Sequence, residues 1–378
     1  MVTVVAEAVW TPEVCLEPGW VQIEGERIVA LGRGRPPAGA TVDATALTVC
    51  PGFIDLHIHG SFGCDVQDGA ESLAAMAAGL PRFGCTAYLP TTIPAPWDKT
   101  LAIVDRLARA LDGNPPGAAA LGLHLEGPFL SPLHRGMHLP ECLVPPSADH
   151  ARALLAAGRG RVRSVTLAPE LEGGLDAARV LAASGVLVAM AHSDATYAQA
   201  TDAHAAGVRH VTHLYNAMRA LHHREPGLVG AALDSEGLSA EVIADGIHAL
   251  PPALRLAWRC KGWRRLALIT DAMPGAGAPD GTYRFGGQDV FVAAGRARLA
   301  DGALAGSVAS IDTCVRTMVR AGVPPQEAVG MATRTPAIIG GWPDRGQLAP
   351  GARADLVALD SGLHVAWTMV GGRIAWQG

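Results

Sequence analysis

Residues 51–60 read Pro51-Gly52-Phe53-Ile54-Asp55-Leu56-His57-Ile58-His59-Gly60. This is an aliphatic run that carries two histidines two positions apart and stops on glycine. Side chains of a strand alternate faces with period two, so His57 and His59 point the same way. Two neutral imidazoles side by side at a strand's end suit one divalent cation. An isolated His-x-His serves equally well as two satisfied histidines on a half-buried strand, so the downstream residues decide its meaning.

Downstream, strand-like runs alternate with Ala- and Leu-rich stretches. The strands are expected to end near His59, Thr92, Glu126, Glu170, His192, His213, His248 and Asp271. Between them, Ala70–Phe83, Lys99–Leu111, Ala148–Ala157, Leu175–Ala183, Tyr197–Ala206 and Pro251–Cys260 have helical composition and length. Eight βα units in about 280 residues match an α/β fold of the (β/α)8 TIM barrel type. A doubly wound open sheet is the rival, but no Gly-rich dinucleotide fingerprint comes after the first strand. Pro274-Gly275-Ala276-Gly277-Ala278 has neither the spacing nor the βαβ setting that fingerprint needs.

The two ends of the chain read differently. Val2–Val5 and Gly19–Ala30 are short strand-like runs, too few to be stable alone, and Ala354–Asp360 and Trp367–Trp376 look like their partners. The expected division is 1–48 and 341–378 as the two parts of one small β-sandwich, with 49–340 as the barrel.

Composition bounds the function. The 378 residues are 49% hydrophobic and 17% charged, an ordinary globular balance. A net charge of −5 argues against a general nucleic-acid binder and leaves no polybasic membrane patch. No apolar run approaches the roughly 20 residues that span a bilayer. Met1–Glu7 lacks the basic region and cleavage site of a signal peptide. The seven cysteines are scattered, with no C-x-x-C pair, which suits a reducing cytoplasm. Lys99 and Lys261 are the only lysines; the remaining permanently cationic side chains are arginines.

Metal-competent residues recur at the expected strand ends: His57 and His59 on the first, Glu126 on the third, His192, His213, His248 and Asp271 on the fifth to eighth. Barrel active sites lie at that face, where residues distant in sequence converge.

A wider set of motifs carries a resemblance. It comprises Pro51–Gly60, His124-Leu125-Glu126-Gly127-Pro128-Phe129, Gly136-Met137-His138, and Ala191-His192-Ser193-Asp194-Ala195-Thr196. It continues with His213-Leu214-Tyr215-Asn216-Ala217-Met218, Arg224-Glu225-Pro226-Gly227, Asp245-Gly246-Ile247-His248, Thr270-Asp271-Ala272 and Leu304-Ala305-Gly306-Ser307. Together these resemble the amidohydrolase superfamily and, within it, the N-acetylglucosamine-6-phosphate deacetylases. The resemblance implies a metal-dependent deacetylase with Glu126, His192 and His213 as ligands. One carboxylate and two imidazoles with an open position suit Zn2+ or Fe2+.

Some family members lack the first-strand histidine pair and hold one metal; others keep it and can hold two. Here His57 and His59 make a second site available, so one or two ions per subunit are expected. Many related binuclear enzymes bridge their metals with a carboxylated lysine. Neither Lys99 nor Lys261 falls at a strand end, which leaves Glu126 as the bridge.

Asp271 is implied as general base, general acid and additional metal contact, and His138 as the group that polarises the acetyl carbonyl. Substrate contacts are implied at Asn216, Ala217, Asp245, His248 and Leu304, Ala305, Gly306 and Ser307. Arg224 is implied to clamp phosphate from the neighbouring subunit of a homodimer.

Three departures stand out: Ala191 where glycine is usual, Leu139 after His138 where a polar residue is common, and an unusual Ser131–Cys142 loop that includes His134. They leave open the galactosamine epimer as substrate. A D-aminoacylase and a non-catalytic scaffold on the same fold are the remaining alternatives. The first is disfavoured by the Arg224 and His248 anion pair, the second by retention of every ligand.

Overall fold

The computed structural model describes residues 1–11, 13–113 and 115–378. Its centre is a parallel barrel of eight strands: β1 Phe53–Ile58, β2 Cys85–Thr92, β3 Leu123–Glu126, β4 Val162–Leu167, β5 Leu187–Met190, β6 His210–Val211, β7 Ser239–Ile243 and β8 Leu266–Ile269. Each strand pairs with the next, as in Ile54 with Ala87, Glu126 with Thr166, Met190 with Val211 and Val242 with Leu268. Every residue of β1 and β2 is buried, as expected where helices cover the outside of a parallel sheet.

Closure between β1 and β8 is irregular. Ile58 bridges Ala272, and the Asp271 amide donates to the His57 carbonyl at 2.9 Å. The Asp55 carboxylate replaces part of the missing ladder. It accepts from the Thr270 hydroxyl at 2.5 Å and from the amides of His57 and Thr270 at 3.2 and 3.3 Å.

Helices α1 Ala70–Gly79, α2 Trp97–Ala110, α3 Ala148–Ala157, α4 Gly174–Ala183, α5 Tyr197–Ala205, α6 Gly227–Asp234, α7 Pro251–Lys261 and α8 Ile311–Arg320 follow the strands in turn. Their starts obey local chemistry. Ser147 accepts the His150 amide at the start of α3, and Thr196 and Gln199 form a reciprocal capping box on α5. Two further helices, α9 Pro325–Ala332 and α10 Arg334–Gly340, end this part of the chain.

Strands from both termini join in one continuous hydrogen-bonded sheet. Val2–Trp10 runs parallel to Thr41–Pro51, which pairs antiparallel with Leu356–Leu359. The sheet gathers its own apolar cluster, including Val4, Val21, Ile28, Val49, Leu356 and Trp367. A three-stranded antiparallel insertion, Gly281–Phe285, Gln288–Ala293 and Arg296–Arg298, sits between β8 and α8.

Several strands stop earlier than the sequence suggests. β7 ends at Ile243 rather than near His248, because Asp245 turns the chain by accepting the amides of Ile247 and His248, each at 2.8 Å. β5 and β6 end two residues before His192 and His213.

Candidate active site

The barrel's C-terminal mouth opens into a cavity of about 190 Å3 lined by His59, Glu126, His138, His192, His213 and Asp271. Asn216, Ala217, His248, Leu304 and Gly306 line it too. His192, His213 and Asp271 each sit just past a strand end with left-handed backbone, at φ of 46°, 33° and 50°. L-residues with a Cβ resist that conformation, and its retention at polar residues in a pocket is a mark of function.

Two groups of ligand atoms converge. In the first, Glu126 Oε1 lies 3.1 Å from His192 Nε2 and 2.9 Å from His213 Nε2, and the two imidazole nitrogens are 3.1 Å apart. In the second, His59 Nε2 lies 3.0 Å from His57 Nε2 and 3.1 Å from Asp271 Oδ1. The other Glu126 oxygen, Oε2, is 3.4 Å from His59 Nε2 and 3.5 Å from His138 Nε2. One carboxylate therefore addresses both groups, each of which could hold a metal ion.

Tautomers test whether a cation fits. His192 Nδ1 lies 2.8 Å from the His134 carbonyl and His59 Nδ1 lies 3.0 Å from the Thr91 carbonyl. A carbonyl only accepts, so both rings carry the proton on Nδ1. Their Nε2 lone pairs then face carboxylate oxygens and other imidazoles at about 3 Å, which is repulsive unless a positive charge lies between them. The donor set fits a divalent ion in each group.

The carboxylates show the same demand for positive charge. Burial alone would raise the Glu126 carboxyl, but the histidines around it hold it well below the usual range. Burial likewise opposes ionisation of Asp271, yet His57 and His59 bring it down to about 2. Asp271 retains 14% of its side-chain exposure against 4% for Glu126, so it meets what enters the pocket. Burial pulls His138 down to about 4, leaving a neutral ring that can donate one N–H to a carbonyl oxygen. His248 is raised instead: burial opposes its charge, but the Asp245 carboxylate 2.7 Å away prevails.

Not every expected residue reaches the pocket. Asp245, Ala305 and Ser307 stand behind it: Asp245 holds His248, and Ser307 donates to the Thr270 carbonyl at 2.6 Å. Arg224 is exposed on the loop after β6, with His223 3.0 Å away, and takes no part in its own chain's cavity.

Other residues at the site went unread in the sequence. His124 fills the barrel under the site, its ring centroid 4.7 Å from that of His57. It lies two residues before Glu126, so strand alternation could have flagged it. Glu241 and His210 lie 2.9 Å apart beneath His57, and an acid inside Ser-Ala-Glu-Val-Ile was the available signal. Phe285, whose ring centroid is 5.3 Å from that of His59, arrives on the insertion.

Residues 48–375 match the amidohydrolase family. The chain belongs to the amidohydrolase family. This amidohydrolase is 42% identical to an N-acetylgalactosamine-6-phosphate deacetylase of Escherichia coli O157:H7, over 95% of this chain and 96% of that protein. It is 37% identical to an N-acetylglucosamine-6-phosphate deacetylase of Bacillus subtilis (strain 168), over 98% and 96%. A solved structure of N-acetyl-D-glucosamine-6-phosphate deacetylase from Mycobacterium smegmatis, a mutant in complex with N-acetyl-D-glucosamine-6-phosphate, superimposes with a TM-score of 0.93. Identity there is 39%, with 99% of both chains covered. The (β/α)8 architecture of this amidohydrolase is thus that of its deacetylase relatives. Among its described residues, no helix is long and apolar enough to cross a membrane.

Proposed function

We propose that this amidohydrolase cleaves the acetamide of N-acetyl-D-glucosamine 6-phosphate with water, giving acetate and D-glucosamine 6-phosphate. The observation that carries the reading is the pair of converging ligand groups, Glu126, His192 and His213 beside His57, His59 and Asp271, with Glu126 reaching toward both. The deacetylase relatives that match nearly the whole chain support it.

Glu126, His192 and His213 would hold one divalent ion, Zn2+ or Fe2+; His57, His59 and Asp271 would hold a second. When bound, such an ion supplies Lewis-acid polarisation and lowers the pKa of adjacent water toward about 7. Asp271 takes a proton from the attacking water and returns it to the amine nitrogen as the C–N bond breaks. His138, neutral and buried, donates its N–H to the acetyl oxygen as negative charge develops there. Asn216, Ala217 and the Leu304–Ser307 loop hold the sugar.

His248, whose charged form Asp245 favours, meets the phosphate together with Arg224 from a second copy of the chain. The active unit is accordingly a homodimer, and its setting the cytoplasm. A second reading, the galacto epimer, is favoured by the E. coli O157:H7 relative.

Acetate release from both epimers and from unphosphorylated N-acetylglucosamine tests the assignment. The metal-loaded chain should turn over a 6-phosphate sugar with the highest kcat/KM. Preference for N-acetyl amino acids, or no turnover with Zn2+, Fe2+ or Mn2+ added, would overturn it.

A further inference from the structure

Beneath the site, the barrel interior holds a polar line that the proposed chemistry does not use. Ser239 Oγ is 2.7 Å from His210 Nδ1, and His210 Nε2 is 2.9 Å from Glu241 Oε1. The remaining Glu241 oxygen, Oε2, faces His57 Nδ1 at 3.7 Å. Glu241 and His57 are 2% and 0% exposed, and neither Oε2 nor Nδ1 has a hydrogen-bond partner among the described residues. His210 Nε2, for all its closeness to Glu241, likewise makes no formed hydrogen bond among the described residues.

These atoms are matched in kind. The Ser239 hydroxyl has one proton to share between His210 Nδ1 and the Arg209 carbonyl 3.2 Å away; where it turns to His210, His210 Nε2–H can donate to Glu241, and Glu241 Oε2 can accept from His57 Nδ1–H. That polarity leaves the His57 Nε2 lone pair facing His59 and Asp271. The 3.7 Å gap is too long for a formed hydrogen bond, but it separates two buried atoms that have no other partner. A contraction of less than an ångström closes it.

We infer that Glu241, braced by His210 and Ser239, is the positioning residue for His57. It fixes the His57 tautomer and thereby makes the His57, His59 and Asp271 group competent to take a second divalent ion. The inference rests on the metal reading proposed above. It adds that occupancy of one site is set from inside the barrel, from beyond the reach of substrate. Ligating histidines commonly donate their second N–H to a carboxylate, and removing such a partner weakens metal affinity by about 10–100-fold.

Zn2+ titration of the metal-depleted chain, with stoichiometry measured after dialysis, tests this. Wild type should bind one equivalent that is lost in His57→Asn and one that is not. Glu241→Gln should weaken only the His57-dependent equivalent, by about 10–100-fold, and Ser239→Ala should weaken it less. Unchanged affinity in Glu241→Gln, or equal loss of both equivalents, overturns the assignment. A wild-type chain that binds no Zn2+ at all removes the metal reading, and this inference with it.

A measurement on the unaltered chain guards against variants that fail to fold. Histidine 15N shifts of the Zn2+-loaded protein should report a proton on His57 Nδ1. A proton on Nε2 instead would refute the role of Glu241.

Discussion

His192 Nδ1 donates to the main-chain carbonyl of His134 at 2.8 Å, while the His134 ring reaches Asp194 at 2.9 Å. The loop that carries His138 is thus tied to a candidate ligand through its backbone and to the chain after β5 through a side chain. Arg219 completes the tie by binding the other Asp194 oxygen at 2.5 Å. Asp194→Ala should therefore lower kcat/KM about 10–100-fold through slackened ligand orientation, with the melting temperature nearly unchanged. Undiminished turnover would mean that the loop holds its position without this tie.

Asp271→Asn should reduce kcat about 10²–10⁴-fold, the usual contribution of a positioned acid–base group. The amide is close in shape to the carboxylate but has no basic oxygen at neutral pH. Stopped assays of acetate release at saturating substrate would read this, and a retained kcat would remove Asp271 as the proton carrier.

Arg224→Ala should raise KM for the 6-phosphate sugar by roughly one to two powers of ten, the worth of a hydrogen bond to a charged group. KM for the unphosphorylated sugar should hardly move. Equal increases for both would argue against a phosphate contact. Mixed dimers made with an Asp271→Asn chain would reveal whether the arginine acts across the interface.

Chelation should abolish turnover and lower the melting temperature. An ion at 100 times its dissociation constant stabilises the native state by about 2.7 kcal/mol, and removing it exposes converging lone pairs and carboxylates to one another. Scanning calorimetry before and after chelation, then with Zn2+ or Fe2+ restored, checks this. An unchanged melting curve would deny any structural part to the ions.

Lys261 closes α7 almost fully buried, its ammonium 2.5 Å from the Ser235 carbonyl, and burial draws its pKa down to about 8. The unfolded chain, with a lysine near 10.4, binds this proton more tightly than the native state. Stability should therefore rise with pH between about 8 and 10.4, by up to about 3 kcal/mol. Urea unfolding of wild type and Lys261→Met across that range isolates the effect: the stability difference between them should shift toward wild type as pH rises.

The barrel was legible because helix composition and strand-end chemistry repeat in step. α3 spans Ala148–Ala157 as read, and α4 differs only by starting at Gly174. Strand ends were read too late where the chain leaves the ladder in left-handed conformation, as at His192 and His213, which hydropathy does not register. The insertion escaped notice although Gly286-Gly287 and Ala294-Gly295, all at positive φ, mark two tight hairpin turns. The ligand groups were legible as residue types at the barrel mouth, whereas Glu241 was hidden inside Ser-Ala-Glu-Val-Ile and His210 beside the charged Arg209. Arg224 lies outside the cavity of its own chain, so a single chain does not display its proposed role.

The left-handed backbones at His192, His213 and Asp271 set stability and chemistry against each other. Each is strained by roughly 1–3 kcal/mol, and glycine or asparagine would relax it. Laboratory evolution for heat tolerance with a chelator present should therefore discard these three side chains early, producing robust barrels without activity, whereas a bound ion would oppose their loss. Libraries built on this scaffold keep their chemistry only if turnover is selected in every round.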